Sequence, residues 1–166
     1  MAKTSGALRL ELDRLSPIQA TIRINSILAD IAKDGYSKAA PFTIGNVEPE
    51  IKKYARENGI ELGSDEIVMT TKQITHTLTT RPSKVEKGKV ISPQHLAEFP
   101  VRRSSMEIYH DGKAFIYFDR SRNEKFVLHS GYELKVKNKK EKIVNYISGS
   151  KTNATEFNLP KYRRIK

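Results

Sequence analysis

The 166-residue chain contains no cysteine and no tryptophan. Without cysteine there is no disulfide, no thiolate metal site and no cysteine nucleophile, and the redox compartment stays open. No run approaches the ~18 consecutive apolar residues that cross a bilayer. The opening Met1-Ala-Lys-Thr-Ser-Gly lacks the apolar stretch of a signal peptide. The four histidines, at 76, 95, 110 and 129, lack the close spacing of a zinc helix, and no acidic loop resembles a calcium site. A glycine-rich phosphate loop is missing too. Ser148-Gly-Ser-Lys-Thr152 echoes one, but it lacks the first glycine and follows a late strand where a helix should come next. Neither a metal nor a cofactor is expected.

Acid is scarce as well. Asp and Glu number 19 against 30 Lys and Arg, a net charge of +11. The excess is uneven: from Arg120 to Lys166 there are 13 basic residues and four Glu, a net of +9. Clustered positive charge steers and holds phosphate backbones, so the natural partner is a nucleic acid. A solvated basic surface with no dedicated partner, or a membrane-directed tag, is the plainer alternative.

The length fits one domain by the ~150-residue prior and is enough for a core without staples. Ser16 as N-cap and Pro17 at the first helical position start a helix whose Ile24, Ile27, Leu28 and Ile31 recur at helical spacing, with Gly35 ending it. Pro41 to Gly45 reads as extended, Pro49 to Asn58 as a second helix, and Ile60 to Met69 as extended with a break at Gly63-Ser64. A third helix covers Thr71 to Thr80. A short fourth, Gln94 to Glu98, is capped by Ser92-Pro93 and ended by Pro100.

Beyond Pro100 the period becomes two. Met106–His110 and Lys113–Phe118 flank Asp111-Gly112, a strong hairpin signal. Lys125 to Val136 makes a long strand with a bulge at Gly131, followed by a charged turn, a strand over Lys142–Ile147, a Ser/Thr-rich loop and a last strand over Ala154–Leu159. Helices first and a meander second predict an α+β fold, with N-terminal helices packed on a C-terminal four- to five-stranded antiparallel sheet.

One histidine stands out. On a helix over 71–80, Ile74 and Leu78 form the inward stripe, and His76 projects from the opposite face with Lys72 one turn before it. Arg81, Ser83 and Lys84 follow in the loop. An imidazole among cations has reason to stay neutral near pH 7, which suits a general base, although an ordinary surface histidine would be placed the same way. His95, His110 and His129 read first as structural, although His129, in a strand near the bulge, could face either the core or a cleft. In the loop from Ser148 to Thr155, Lys151 and the hydroxyls suit a phosphodiester; Thr155, alternating with Phe157 and Leu159, reads equally as a packing residue. Lys125, Lys135 and Lys137 with Lys72 are the candidate cations for a nucleic-acid backbone. Tyr117 and Tyr132 either stack bases or pack the sheet.

The run Ile67-Val-Met-Thr-Thr-Lys-Gln-Ile-Thr-His76, followed by Thr77–Pro82, a capped short helix, a β-meander and a Thr/Ser-rich last strand, resembles the phage-associated branch of the barnase/EndoU/colicin/RelE-like ribonuclease superfamily. Pro41–Gly45 and Ile60–Ser64 resemble its lead-in. The likeness spans about 40 to 160 and implies a nuclease domain over 40–166, leaving 1–39 as an arm and helix for delivery, dimerisation or partner binding.

What it implies is a metal-independent endoribonuclease, a toxin-like effector cutting RNA by attack of the ribose 2′-hydroxyl on the adjacent phosphorus. The family's helix histidine falls on His76, and its late basic and hydroxyl positions fall on Lys151 and Thr155. Where a second histidine or basic residue follows the helix, this chain has Arg81 or Lys84, which leaves the general acid unassigned. The substrate would be transfer RNA or another structured RNA, met in a cytoplasm after delivery by a phage or secretion system. An acidic immunity protein or antitoxin would complement the charge. Two other classes compete: a non-catalytic RNA-binding or phage structural module on the same scaffold, and an ADP-ribosyltransferase-like effector, for which the Arg…Ser-Thr-Ser…Glu-x-Glu pattern is missing.

Overall fold

A computed structural model describes residues 12–78, 90–136 and 139–166, without the side chains of 132, 133, 135, 136 and 139–144. Helix α1 (Pro17–Asp34) is built by the signals read from sequence. The Ser16 hydroxyl accepts from the Gln19 N–H while the Gln19 side chain accepts from the Ser16 N–H, a reciprocal cap worth about 1 kcal/mol. Gly35 ends the helix in a left-handed conformation, φ 82°, its N–H donating to Ile31 O. Ala20, Ile24 and Ile27 are fully buried, whereas Ile18 and Ile22 are left in solvent.

Strand β1 (Asp13–Arg14) precedes α1; β2 (Phe42–Asn46), α2 (Pro49–Glu57), β3 (Glu66–Met69) and α3 (Thr71–Leu78) follow. Helix α4 (Pro93–Arg102) leads through a 3-10 turn into β4 (Glu107–His110), β5 (Phe115–Asp119), β6 (Glu124–Val136) and β7 (Lys139–Lys151). A second 3-10 turn, Ala154–Asn158, precedes the short β8 (Arg163–Arg164). Among the described residues no helix is long and apolar enough to cross a membrane.

The fold is mixed α+β, but the sheet differs from the one expected. Among the described residues it has eight strands in the order β1-β2-β3-β7-β6-β5-β4-β8, with β1–β2 and β3–β7 parallel. The antiparallel run β7-β6-β5-β4-β8 is therefore five strands inside a larger mixed sheet, not a sheet by itself. The hairpin at Asp111-Gly112 forms as read: Asp111 Oδ1 accepts from the N–H groups of Lys113 and Ala114, and Gly112 has φ 93°. The bulge in β6 forms too, with the register shifting between His129 and Tyr132 and Gly131 at φ 80°.

Three local expectations are corrected. Helix α4 does not stop at Pro100 but runs on to Arg102. An interior proline removes one hydrogen bond, at a cost of ~3 kcal/mol, and burying Leu96, Ala97, Phe99 and Pro100 itself opposes that cost. The Ser/Thr-rich loop is largely strand, since β7 continues through Ser148 and Ser150 to Lys151. Ala154–Asn158 is a 3-10 turn where a strand was expected. The Asn153 side chain accepts from the Thr155 N–H, and Phe157 turns inward while Leu159 remains 50% exposed.

Alternation along the strands sorts the sheet into two faces. Phe115 and Tyr117 on β5, Phe126 and Leu128 on β6 and Ile147 on β7 face the main core, where α1 supplies Ile24 and Ile27, and α4 supplies Leu96 and Phe99. The described part of the 1–39 segment thus shares its core with the sheet. Ile116, Phe118 and Val127 point the other way, into an aromatic cluster with Tyr109, Phe157 and Tyr162.

Candidate active site

Thr70 starts α3, its Oγ1 accepting from the Gln73 N–H. Gln73, Ile74 and Thr77 are the buried side of the helix. Lys72 and His76, four residues apart, share the exposed side. Both line an open cleft of about 700 Å³. The helix runs against β7, and across the cleft stand His129 of β6 with Tyr146 and Ser148 of β7; Tyr36 and Ser37, just past α1, complete the rim.

The opposite wall follows from strand pairing. His129 pairs with Tyr146, and Val127 with Ser148. Because Phe126, Leu128 and Ile147 face the main core, His129, Tyr146 and Ser148 must face away from it. The His129 and Tyr146 rings stack, centroids 4.7 Å apart and planes at 19°. His129 Nε2 lies 2.8 Å from Ser148 Oγ. The imidazole is thus held from two directions before any ligand arrives.

Burial holds the His129 pKa below the ordinary histidine value, and the neighbouring His76 charge pushes it the same way. The two imidazoles are easier to charge once than twice, which is the electrostatic condition for an acid–base pair. Among the described residues no group of three or more His, Asp or Glu is placed to hold a metal ion. The cleft offers two imidazoles, one ammonium and several hydroxyls.

The sequence-derived candidates are only partly brought together. His76 and Lys72 are in the cleft. Lys151 is exposed on β7 but, by alternation, stands on the face opposite Ser148. Thr155 is exposed on the 3-10 turn, its hydroxyl bonded to Asn153. Lys125 points away from the main core, where its ammonium lies 2.7 Å from Glu156. Tyr117 is no base-stacking platform: it is fully buried and donates to Glu48, which also accepts from Arg103. Arg81, Lys84 and Lys137 lie outside the described residues, as do the side chains of Lys135 and Tyr132.

His129 is the residue that the sequence reading undervalued. A signal existed: in Lys125-Phe-Val-Leu-His129, inward Phe126 and Leu128 force the histidine outward, just before the bulge. His95, by contrast, lies 2.6 Å from the buried Glu124, and His110 packs between Tyr54 and Phe115, so both serve the fold. No family model matches the chain, and neither a curated protein nor a solved structure matches it.

Proposed function

We propose that the protein is a metal-independent endoribonuclease whose acid and base are His76 and His129. The observation that carries this reading is the second imidazole: His129 lines the same open cleft as His76, next to Lys72. In the proposed reaction the 2′-oxygen–phosphorus bond forms as the phosphorus–5′-oxygen bond breaks. His129, whose neutral form burial favours, takes the 2′-hydroxyl proton. His76, expected from the sequence to be the base, takes the acid's part in this pairing and gives a proton to the departing 5′-oxygen. Lys72 faces the charge that builds on the non-bridging oxygens. The products are a 2′,3′-cyclic phosphate and a 5′-hydroxyl, and the balance needs no electron donor and no second substrate.

The resemblance to the barnase/EndoU/colicin/RelE-like ribonucleases supports the same reading, with its helix histidine on His76 and β4–β7 as its meander. A toxin-like role, with an acidic inhibitor complementing the +11 charge, follows from that resemblance. The same charge favours a second reading, an RNA-binding module without chemistry. Incubation with total RNA in excess EDTA separates the two. Discrete fragments ending in 2′,3′-cyclic phosphates, lost in both His76→Gln and His129→Gln, are expected. Intact RNA alongside tight, salt-sensitive binding would overturn the nuclease and leave the binding module.

A further inference from the structure

Tyr36 is out of place for an apolar ring. It is 55% exposed, yet it lines the cleft that holds Lys72, His76 and His129. Its backbone is fixed from both sides. Gly35 caps α1 through the bond to Ile31 O, and the Ser37 hydroxyl donates to Asp30 Oδ2 at 2.7 Å while accepting from the Ala39 N–H. A short, tethered segment therefore presents the ring at the rim, at little entropic cost to a ligand that lands on it.

An exposed aromatic ring beside a cationic side chain, here Lys72, in one cleft is the pairing that single-stranded nucleic acids use. The cation takes a phosphate and the ring takes an unstacked base. We infer that Tyr36 is the stacking platform for a base next to the phosphate held at Lys72 and His76, and that the substrate is therefore an unpaired stretch of RNA. A paired base keeps its own stack and offers no free face to the ring. This inference rests on the nuclease reading for its substrate, but the stacking itself can be tested without cleavage.

The chain has no tryptophan, so Tyr36→Trp places a sole indole at the platform. The probe is a fluorescently labelled single-stranded oligonucleotide with 2′-deoxyriboses, which cannot be cut by 2′-hydroxyl attack, and its duplex with the complement is the control. Expected are quenching of the indole by the single strand at the concentrations where anisotropy reports binding, and little quenching by the duplex. With an RNA substrate, Tyr36→Ala should raise KM roughly tenfold with kcat nearly unchanged, and Tyr36→Phe should restore it. An indole unquenched at saturating single strand, or no binding of the single strand at all, would overturn the platform. Quenching by the oligonucleotide with no cleavage of RNA by the wild type would uphold the platform and remove the nuclease.

Discussion

The outer face of the sheet has two unlike halves. Over β4 and β5 it is closed: Phe157 stacks at 4.5 Å on Tyr109 and lies 4.5 Å from Phe118, with Tyr162 edge-on at 4.9 Å. Two residues along β6 from Val127, which touches that cluster, the same face carries His129 with Tyr146 and Ser148 beside it. There the cover is α3, set back far enough to leave a cleft of about 700 Å³. The strands and their alternation are common to both halves. What differs is whether the covering segment brings rings that fill the space or polar groups that line it. The first half contributes stability, and the second leaves a polar-lined cleft open to a ligand.

The largest effects should separate the halves by function. His129→Gln and His76→Gln are expected to lower RNA cleavage by roughly 100- to 10,000-fold, the range of general acid–base catalysis. His76 is exposed, and its replacement should change the unfolding free energy measured in urea by no more than ~0.5 kcal/mol. Phe157→Ala is the mirror experiment. Phe157 is 8% exposed at the centre of the ring cluster, so its removal should cost about 3 kcal/mol in urea unfolding while cleavage per folded molecule holds. A Phe157 variant that folds well but cleaves poorly would show that the two halves are not separate.

Acid should sharpen the distinction. Burial lowers the pKa of His110 as it does that of His129, but His110 sits against Tyr54 and Phe115, with Nδ1 accepting from the Gly112 N–H. For both, the unfolded chain binds a proton below the ordinary value of 6.5 that the folded chain resists. Their stabilising share is thus complete above that pH and is lost as pH falls through the lowered folded values. His110→Asn and His129→Gln should each flatten the acid side of the stability curve. Only His129 should set the acidic limb of kcat/KM, and that limb should lie below 6.5. A limb above 6.5 would remove His129 as the base.

Much of the frame is legible in short stretches, because short stretches determine it. Ser16-Pro17 and Gly35 bound α1, Asp111-Gly112 turns the hairpin, and Gly131 marks the bulge. The expectations that failed depend on partners far along the chain. Helix α4 passes Pro100 because its flank is buried, and Ala154–Asn158 curls because Phe157 has a ring cluster to enter. The cleft depends on the parallel pairing of Ile67 with Asn145 and Val68 with Tyr146, which carries α3 to β7. No local pattern announces a pairing at that separation, so His129 could be oriented from sequence while its neighbour His76 could not be given to it.

Two lysines give the finest comparison, and the smallest effect. Lys72 is exposed at the cleft, whereas the Lys125 ammonium lies 2.7 Å from Glu156 on the closed half. Burial alone would raise the Glu156 pKa, but hydrogen bonds from Lys125, Thr152 and Tyr162 together leave it lowered. Lys125→Met therefore removes one of three partners and leaves both hydroxyls in place. The pair is partly solvated, with 24% and 20% of the side chains exposed, so the loss should stay under ~1 kcal/mol. A lysine already neutralised by a carboxylate releases no counterion from a phosphate, whereas a cleft lysine does. Lys72→Met should reduce the slope of log affinity against log salt by about 0.7 for single-stranded RNA, and Lys125→Met should leave it unchanged. Equal slopes for the two variants would mean that RNA spreads over both halves of the face, and that the closed half also binds.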